Sequence, residues 1–511
     1  MLNVTFCGAA RTVTGSQYFL EYTAPDGSCF NFCIDSGLFQ TGQKVSLFKI
    51  NSHLLFDPRK LDCIVLTHAH LDHCGRIPYL VKNGFGGKIY STLATKQIAE
   101  VVLHDAARLS TTGSGDKQSF NPLKGVKKSD LQTQVEKIDF DENYKAILAK
   151  HALDTENLGL YGEQDVIQTM NRFKTFEYHH KFRIHDNLEI EFYDAGHILG
   201  SAYVIITELS SGKQIAFSGD FGNINKPIIN DPEVPNSLPK LTDVFIETTY
   251  GNKMHGKLNP KERLRKTLYQ TIANGGQVLL PSFSVERAQE VIYFIVELMQ
   301  ENKVPNVPIF LDSPMASKIL QICLEHPALY DIDMRDKISH RINPLIHKNI
   351  KILETPAQSK TLNKFDKPCI IIAGSGMLNG GRILKHLYYH LENPNNTLLM
   401  VGYQAVGTLG RQIWEGAKEV EVEGKTLKVL CNIENINEFS AHADQRTLKN
   451  WIVDLVNGKN IQSSNEKIRV FLMHGEKEAS LGFGKEIEAL MPRQVKGYWP
   501  QFGEKVELWG S

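Results

Sequence analysis

Cysteine is scarce. There are eight in 511 residues, spread over the whole length, and only Cys29 and Cys33 lie close together, in a strand-like run. That usage excludes a disulfide scaffold and fits reduced, buried thiols in a cytoplasmic protein. Long hydrophobic runs are missing too: no segment approaches the roughly 20 apolar residues that span a bilayer. The opening stretch MLNVTFCGAARTVTGS has no basic flank followed by a long apolar core, so neither a secretory leader nor a membrane partner is expected. An excess of one charge is also absent. Lys plus Arg number 57 and Asp plus Glu 57, which argues against a protein that coats nucleic acid with its whole surface. It leaves room for a local basic groove, or for an acidic metal site offset by basic residues elsewhere. There is no internal repeat and no low-complexity tail.

What is present is an ordinary globular composition, 42% hydrophobic and 22% charged, with enough chain for roughly two to four domains. Up to about Ile98 the pattern is short apolar strands separated by Gly and Asp turns. Cys63–Thr67 is one such strand, followed by a loop and a short helix before Gly84. A second strand-rich block runs from Leu188 to Thr248 and contains LEIEFYDAGH, SAYVIITEL, KQIAFSGD and DVFIETTY. Between them, residues 110–156 are polar and dotted with lysine (Lys117, Lys124, Lys127, Lys128, Lys137, Lys145, Lys150), an excursion expected to be partly helical and mobile.

From Asn252 to about Leu430 strands and helices alternate. Pro260 opens a helix that ends at Gly275-Gly276. Then come QVLLP, VERAQEVIYFIVELMQ, PIFLD, MASKILQICLEH, CIIIAG, a helix from near Arg382, and TLLMVG. Such alternation predicts a parallel α/β layer. The loops PSFS, LDSPM, AGSGMLNGG and VGYQAVGTLGR fall at strand carboxyl ends, where open α/β sheets bind ligands. The final residues return to short strands. The division expected is 1–251, 252–430 and 431–511.

The densest chemistry lies in LTHAHLDHCG, where His68, His70, Asp72 and His73 follow an apolar strand. Zinc takes imidazole nitrogen and carboxylate oxygen at about 2.0–2.2 Å. In an extended loop His68 and His70 point to one side, while Asp72 and His73 can turn towards a second position a few ångströms away. One ion cannot easily use all four; two adjacent ions can. Further donors stand at strand ends: His197 in DAGHILG, Asp220 in SGDFG and His474 in MHGE. Asp220 is the natural bridge, because a carboxylate can bind two ions and an imidazole cannot. A lone core histidine is usually just hydrogen-bonded, and DAGH or SGD alone would carry little weight. Burying three imidazoles and a carboxylate in one short segment without metal is costly, and the other donors gain weight from it. Two metals acidify a shared water and clamp both oxygens of a displacement at phosphorus. The same chemistry suits a thioester or a lactam.

These motifs, with Asp35 in CIDSG, resemble the metallo-β-lactamase fold, two β-sheets packed between helices with metals at one edge. ETTYG, SAHAD and MHGE resemble the accessory motifs of the β-CASP nucleases, and PSFSVERAQE, GSGM and GYQAVGTLGR match that branch as well. It includes bacterial RNA-processing enzymes and the nuclease subunit of the eukaryotic pre-mRNA 3′-end cleavage machinery. The likeness covers nearly the whole chain apart from 110–156. It departs at Ser36, where relatives often have Cys, and in ETTYG, where they often have ESTYG; neither change removes a donor.

The resemblance implies an α/β protein: an αββα sandwich carrying an inserted parallel α/β β-CASP cap. It implies two Zn2+, with Mn2+ as an alternative working ion. His68, His70 and His197 would hold the first and Asp72, His73 and His474 the second, with Asp220 bridging and Asp35 supporting the ligands from behind. It implies a zinc-dependent ribonuclease acting on single-stranded RNA, as endonuclease, 5′-exonuclease or both. A metal-bridging hydroxide would attack phosphorus, with Asp72 at the catalytic centre. His442 would protonate the leaving oxygen, and Glu247 would hold its tautomer and raise its pKa. RNA rather than DNA follows from His474, where DNA-acting members commonly have Val. Single strands follow from a body–cap cleft too narrow for a duplex.

Backbone N–H groups at Ser375, Gly376 and Met377 would cradle phosphate. Arg287, Arg382 and Arg411 would add charge and Ser282 a hydroxyl; Tyr403 or Phe283 would stack a base. No auxiliary RNA-binding domain is expected beside this core, and a homodimer is compatible with the sequence without being fixed by it. The competing readings are a thioesterase- or lactonase-type hydrolase on the same fold, which the cap disfavours, and a non-catalytic RNA-binding scaffold, which the intact donor set disfavours.

Overall fold

The computed structural model describes residues 1–40, 44–111, 144, 146, 159–235, 238–256, 259–402, 404, 407–457 and 467–510. Apart from its first two residues, Tyr144 and Ala146, the 110–156 excursion lies outside them, as does Tyr403. The chain divides into two units. One comprises Met1–Ile224, Asp231–Met254 and His442–Ser511; the other comprises Asn225–Asn230 and His255–Ala441.

The first unit contains two seven-stranded sheets. One is ordered Lys505–Trp509, Leu2–Phe6, Tyr18–Thr23, Cys29–Ile34, Cys63–Val65, Lys88–Ser91 and Phe173–Thr175. The other is ordered Val495–Tyr498, Ile468–Met473, Leu241–Glu247, Gln214–Phe217, Ala202–Glu208, Leu188–Asp194 and Phe182–His185. Strands such as Leu2–Phe6 and Leu188–Asp194 alternate buried and half-buried residues, the period-2 signature of a sheet with one face on a core. Val4, Phe6, Phe32, Ile190, Phe192, Val204, Phe217, Phe245 and Phe471 belong to one buried cluster between the sheets. Within it the rings of Phe217 and Phe245 stack at 4.0 Å, and those of Phe245 and Phe471 at 4.5 Å. Behind the second sheet the helices Gln445–Asn457 and Lys477–Leu490 bury Trp451, Leu455, Phe483 and Ile487. On the other side, Leu93–Thr111 and Ile77–Lys82 pack with Glu163–Met170. Helix, sheet, sheet, helix is the layering expected from the sequence.

Tyr144 is the one buried side chain described in the excursion. Its ring stacks on Phe502 at 3.9 Å and meets Phe39 edge-on.

The second unit is built on a six-stranded, wholly parallel sheet ordered Ile350–Ile352, Ile309–Asp312, Ile370–Ala373, Val278–Pro281, Thr397–Met400 and Asn432–Asn435. Its central strands are buried at every position, as a parallel strand covered on both faces must be. Helix starts follow the capping signals. Asn259 accepts from the Lys261 N–H ahead of Pro260–Ala273, and Ser313 accepts from the Ala316 N–H ahead of Pro314–Glu325. Because Asn432–Asn435 pairs with Thr397–Met400, this unit runs on to Ala441, past the 430/431 division expected from the sequence.

At the carboxyl end of Ile309–Asp312 the fully buried Asp312 carboxylate accepts from Arg382 (2.6 Å), His386 (2.7 Å) and Ser359 (2.6 Å). Burial alone would raise its pKa, but these three donors hold it below the usual range.

Candidate metal centre

The histidine-rich loop leaves the sheet after Cys63–Val65. His70 is the extended residue just before the short helix Leu71–Cys74, which carries Asp72 and His73. The loop is laced to its neighbour by backbone bonds: Ser16 N to Asp72 O at 2.8 Å, Ser36 N to His73 O at 2.7 Å and Leu38 N to Leu71 O at 2.8 Å. Gly37 is required at this seam, since a Cβ there would lie 1.6 Å from the Asp72 carbonyl oxygen. The other donors leave the second sheet at strand ends. His197 follows Leu188–Asp194, where Ser201 Oγ accepts from its N–H at 3.1 Å. Asp220 follows Gln214–Phe217, Glu247 ends Leu241–Glu247, and His474 follows Ile468–Met473. The last three strands run parallel, so Asp220, Glu247 and His474 emerge together, as carboxyl-end residues of parallel strands do. His442 is drawn in by an antiparallel bridge to Gly222 and by the bond from Ala443 N to Phe221 O at 2.8 Å.

The side chains converge. His70 Nδ1 lies 3.1 Å from both His68 Nε2 and His197 Nε2, and Asp220 Oδ2 lies 3.4 Å from His68 Nε2 and 3.5 Å from His197 Nε2. Beside this group, His73 Nε2 is 3.1 Å from Asp220 Oδ1 and His474 Nε2 is 3.3 Å from Asp72 Oδ2. Donor atoms of His68, His70, His197 and Asp220 all fall within 4.8 Å of one another, as do those of Asp72, His73 and His474.

Ligands at zinc's bond lengths in a tetrahedron stand about 3.3 Å apart, which is the spacing found. Imidazole nitrogens facing one another this closely share either a proton or a cation, and three rings converging on one point favour the cation. Asp220 Oδ1 is buried, with no hydrogen bond of its own. The arrangement fits a metal site.

Electrostatics agree for the first group of imidazoles, whereas at His73 burial is outweighed by the flanking Asp220 and Asp35 carboxylates, which push its pKa well above the usual range. Burial pushes the pKa of His68 and His197 down and that of His70 to about 3, so these imidazoles present neutral lone pairs, the ligating form. Burial works against ionisation of Asp220, yet the imidazoles of His474, His73, His442 and His68 hold it well below the usual carboxylate range.

Asp35 orients two of the imidazoles. Fully buried, and at a φ of 58°, it faces His73 Nδ1 at 2.7 Å and accepts from the Thr67 hydroxyl and N–H, each at 2.8 Å. The Thr67 hydroxyl in turn lies 3.1 Å from His68 Nδ1. Each ring is thereby fixed on one nitrogen and left to face the centre with the other. Thr249 does the same for His474, its hydroxyl 3.2 Å from Nδ1. The sequence reading missed Thr67 and Thr249; the ETTYG motif contained the second without marking it.

His442 Nδ1 lies 3.0 Å from Glu247 Oε1, and His442 Nε2 lies 3.9 Å from Asp220 Oδ2. Burial would lower the His442 pKa, but Glu247 and Asp220 outweigh it and push it up to about 9. Glu247 also accepts from the N–H groups of Phe221 (3.2 Å) and Thr249 (3.0 Å), which locks its carboxylate towards the imidazole.

The residues expected to bind phosphate belong to the second unit, where the structure gives several of them partners of their own. Arg382 spends its guanidinium on Asp312 Oδ1 (2.6 Å), Leu353 O (2.9 Å) and Glu354 O (2.9 Å). Arg287 is buried against Glu290. Both guanidiniums are tied internally. The Ser375 N–H is turned inward to Gly380 O at 3.3 Å, so it does not point at an anion. Arg411 forms a half-exposed pair with Glu415 at 2.7 Å. Met377 lends its carbonyl to Gly410 N at 3.3 Å, and the Ser282 hydroxyl donates to Phe283 O at 3.0 Å. Gly376 is buried beneath the Phe283 ring.

Comparison with known proteins places this geometry. The Metallo-beta-lactamase superfamily profile matches residues 27–142, the Beta-Casp domain 288–413, and the Zn-dependent metallo-hydrolase RNA specificity domain 426–497. A Thermus thermophilus protein named as a ribonuclease is 32% identical over 503 residues, covering 98% of this chain and 99% of its own. An RNase J-like protein of Methanocaldococcus jannaschii is 30% identical over 447 residues, 84% of this chain and 85% of its own. A transcription termination factor of the same organism is 28% identical over 506 residues, 97% of this chain and 70% of its own. Among solved structures, a protein of unknown function from Enterococcus faecalis superposes with a TM-score of 0.51 at 12% identity over 99% of both chains, a likeness of fold alone. With these relatives, and with its strand-end histidines and carboxylates gathered as described, the chain belongs to the β-CASP family of metal-dependent hydrolases within the metallo-β-lactamase superfamily.

Proposed function

We propose that this protein is a ribonuclease that hydrolyses phosphodiester bonds of single-stranded RNA at a dinuclear zinc centre, with manganese as an alternative ion. His68, His70 and His197 would hold one ion and Asp72, His73 and His474 the other, with Asp220 shared. The observation that carries the reading is the sharing itself: Asp220 turns one oxygen towards His68 and His197 and the other towards His73 and His474, within reach of a histidine–glutamate pair. RNA as the substrate is supported by the match to an RNA specificity domain and by relatives named as ribonucleases.

When bound, the metals supply Lewis acidity and an acidified water. The chain supplies the rest. Glu247 accepts at His442 Nδ1 and holds the ring so that Nε2 faces the centre, from which it delivers a proton to the leaving oxygen. Asp35, directly and through Thr67, keeps His73 and His68 turned inward.

The test is a time course on end-labelled unstructured RNA carrying a 5′-phosphate or a 5′-hydroxyl. Cleavage is expected with zinc or manganese, and is expected to be lost on chelation and in His68→Ala. Internal fragments would indicate endonuclease action, and successive 5′ mononucleotides exonuclease action. A metal-loaded protein that leaves every RNA intact while turning over a thioester or a lactone would replace this reading with a small-molecule hydrolase. Asp35→Asn is expected to weaken metal binding about 10–100-fold, the usual effect of removing such an outer partner. Zinc titration of chelator-stripped protein measures it, and unchanged affinity would remove Asp35 from the supporting role.

A further inference from the structure

We infer that Phe283 is a stacking platform for one base of the RNA, so that this ring, rather than a charged residue, sets much of the grip on the strand in the second unit; the inference rests on the ribonuclease reading above. Phe283 directly follows the strand Val278–Pro281 and Ser282, at the carboxyl edge of the parallel sheet. It is 43% exposed. Other exposed aromatics of this unit, Tyr269, Tyr389 and Trp414, sit on helices, where a single exposed ring is ordinary. Phe283 differs in having a built seat. A Cβ on Gly376 would come within 2.8 Å of its ring and one on Gly402 within 3.7 Å, so the ring lies against two loops at positions where no side chain intervenes.

Those loops are fastened to each other from beneath. The buried Gln404 amide donates to Gly376 O at 3.1 Å and to Gly402 O at 3.2 Å. The result is an aromatic ring backed by glycine backbone and open to solvent, with the hydroxyls of Ser284 and Ser313, 3.3 Å apart, on the neighbouring strand-end loops. A rigid, half-exposed ring is poor at recognising a particular base and good at holding any base, since every base has a π-face. Of the arginines expected to supply charge nearby, Arg287 and Arg382 are committed to Glu290 and Asp312 and Arg411 pairs with Glu415, so among the described residues the exposed ring offers a contact that does not depend on charge.

The experiment uses the full chain. A fluorescently labelled single-stranded RNA is titrated in EDTA to read binding without cleavage, and steady-state cleavage is measured with metal. Phe283→Leu is expected to weaken binding and raise KM on the order of ten- to a hundredfold, the usual loss for one base–aromatic stack, with kcat unchanged. Phe283→Trp is expected to restore wild-type affinity. A series of RNAs each bearing one abasic site should contain a position at which wild type and Phe283→Leu bind equally. If Phe283→Leu binds and cleaves RNA as wild type does, or no abasic position removes the difference, the stacking role falls while the ribonuclease reading stands. If the wild-type chain neither binds nor cleaves RNA, both fall.

Discussion

Asp220→Asn should leave a folded protein that retains little metal and cleaves RNA at least about a thousandfold more slowly. Polarisation by a metal centre supplies several kcal/mol of transition-state stabilisation, and each 1.36 kcal/mol is a factor of ten in rate, so losing the shared ligand forfeits at least that much. Asn keeps the shape of the side chain but not its charge. In the native protein the carboxylate sits among four imidazoles, with His68, His73, His197 and His474 at 3.4, 3.1, 3.5 and 3.5 Å. A neutral amide there offers one carbonyl oxygen in place of two anionic oxygens, so it can serve one position and not both.

The fold should survive. The neighbouring strands are fixed by the ladder linking Gln214–Phe217, Leu241–Glu247 and Ile468–Met473, and His68 and His197 are already driven towards their neutral forms by burial. Elemental analysis, circular dichroism and the RNA time course together decide the matter. A folded Asp220→Asn protein with wild-type metal content and wild-type cleavage would remove Asp220 from the centre, and with it the dinuclear reading.

How far such a site can be read from sequence depends on whether its logic is local. HAHLDH is legible because four donors fall in one loop, and its partners DAGH, SGD and MHGE are legible because each stands at the end of an apolar strand. The structure does gather these side chains, from the strand ends of both sheets of the first unit, into one cluster. Thr67 and Thr249 were not legible. A threonine is ordinary in either position, and its hydroxyl acquires a task only when folding brings a histidine ring to it, in one case from 225 residues away along the chain.

The arginines show the opposite case, partners that the local sequence does not announce. Arg287 and Arg382 flank glycine- and serine-rich loops that look made for phosphate. Yet Asp312, 70 residues before Arg382, claims that guanidinium, and Glu290, one helical turn on, claims the other. A buried carboxylate needs a partner more than a surface loop needs a charge, and no local pattern reports which carboxylates will be buried. The excursion at 110–156 shows the same limit: its polar, lysine-dotted composition does not mark Tyr144, whose ring is buried against Phe39 and Phe502.

His442→Ala should lower kcat by about 10²–10⁴-fold, the range for losing a positioned general acid, while leaving metal content unchanged. Glu247→Gln should give a smaller loss of the same kind, because Glu247 acts through the His442 ring: an amide oxygen can still accept from Nδ1, but it brings no charge to favour the protonated ring, and the amide NH2 cannot accept from the second backbone N–H. The distances support the division of labour. Glu247 Oε1 is 3.0 Å from Nδ1 and is itself fixed by two backbone N–H groups, whereas His442 Nε2 faces Asp220 across 3.9 Å. A merely structural role for either residue would lower the rate on every substrate alike. A role in protonating the leaving oxygen would not, and an RNA whose scissile bridging oxygen is replaced by sulfur separates the two. A thiolate leaves without help from an acid, so His442→Ala and Glu247→Gln should cleave the sulfur-bridged RNA at close to the wild-type rate while remaining slow on the ordinary one. If both variants are equally slow on both substrates, His442 is not the proton donor, and its pairing with Glu247 serves to hold the SAHAD segment against the strand ends.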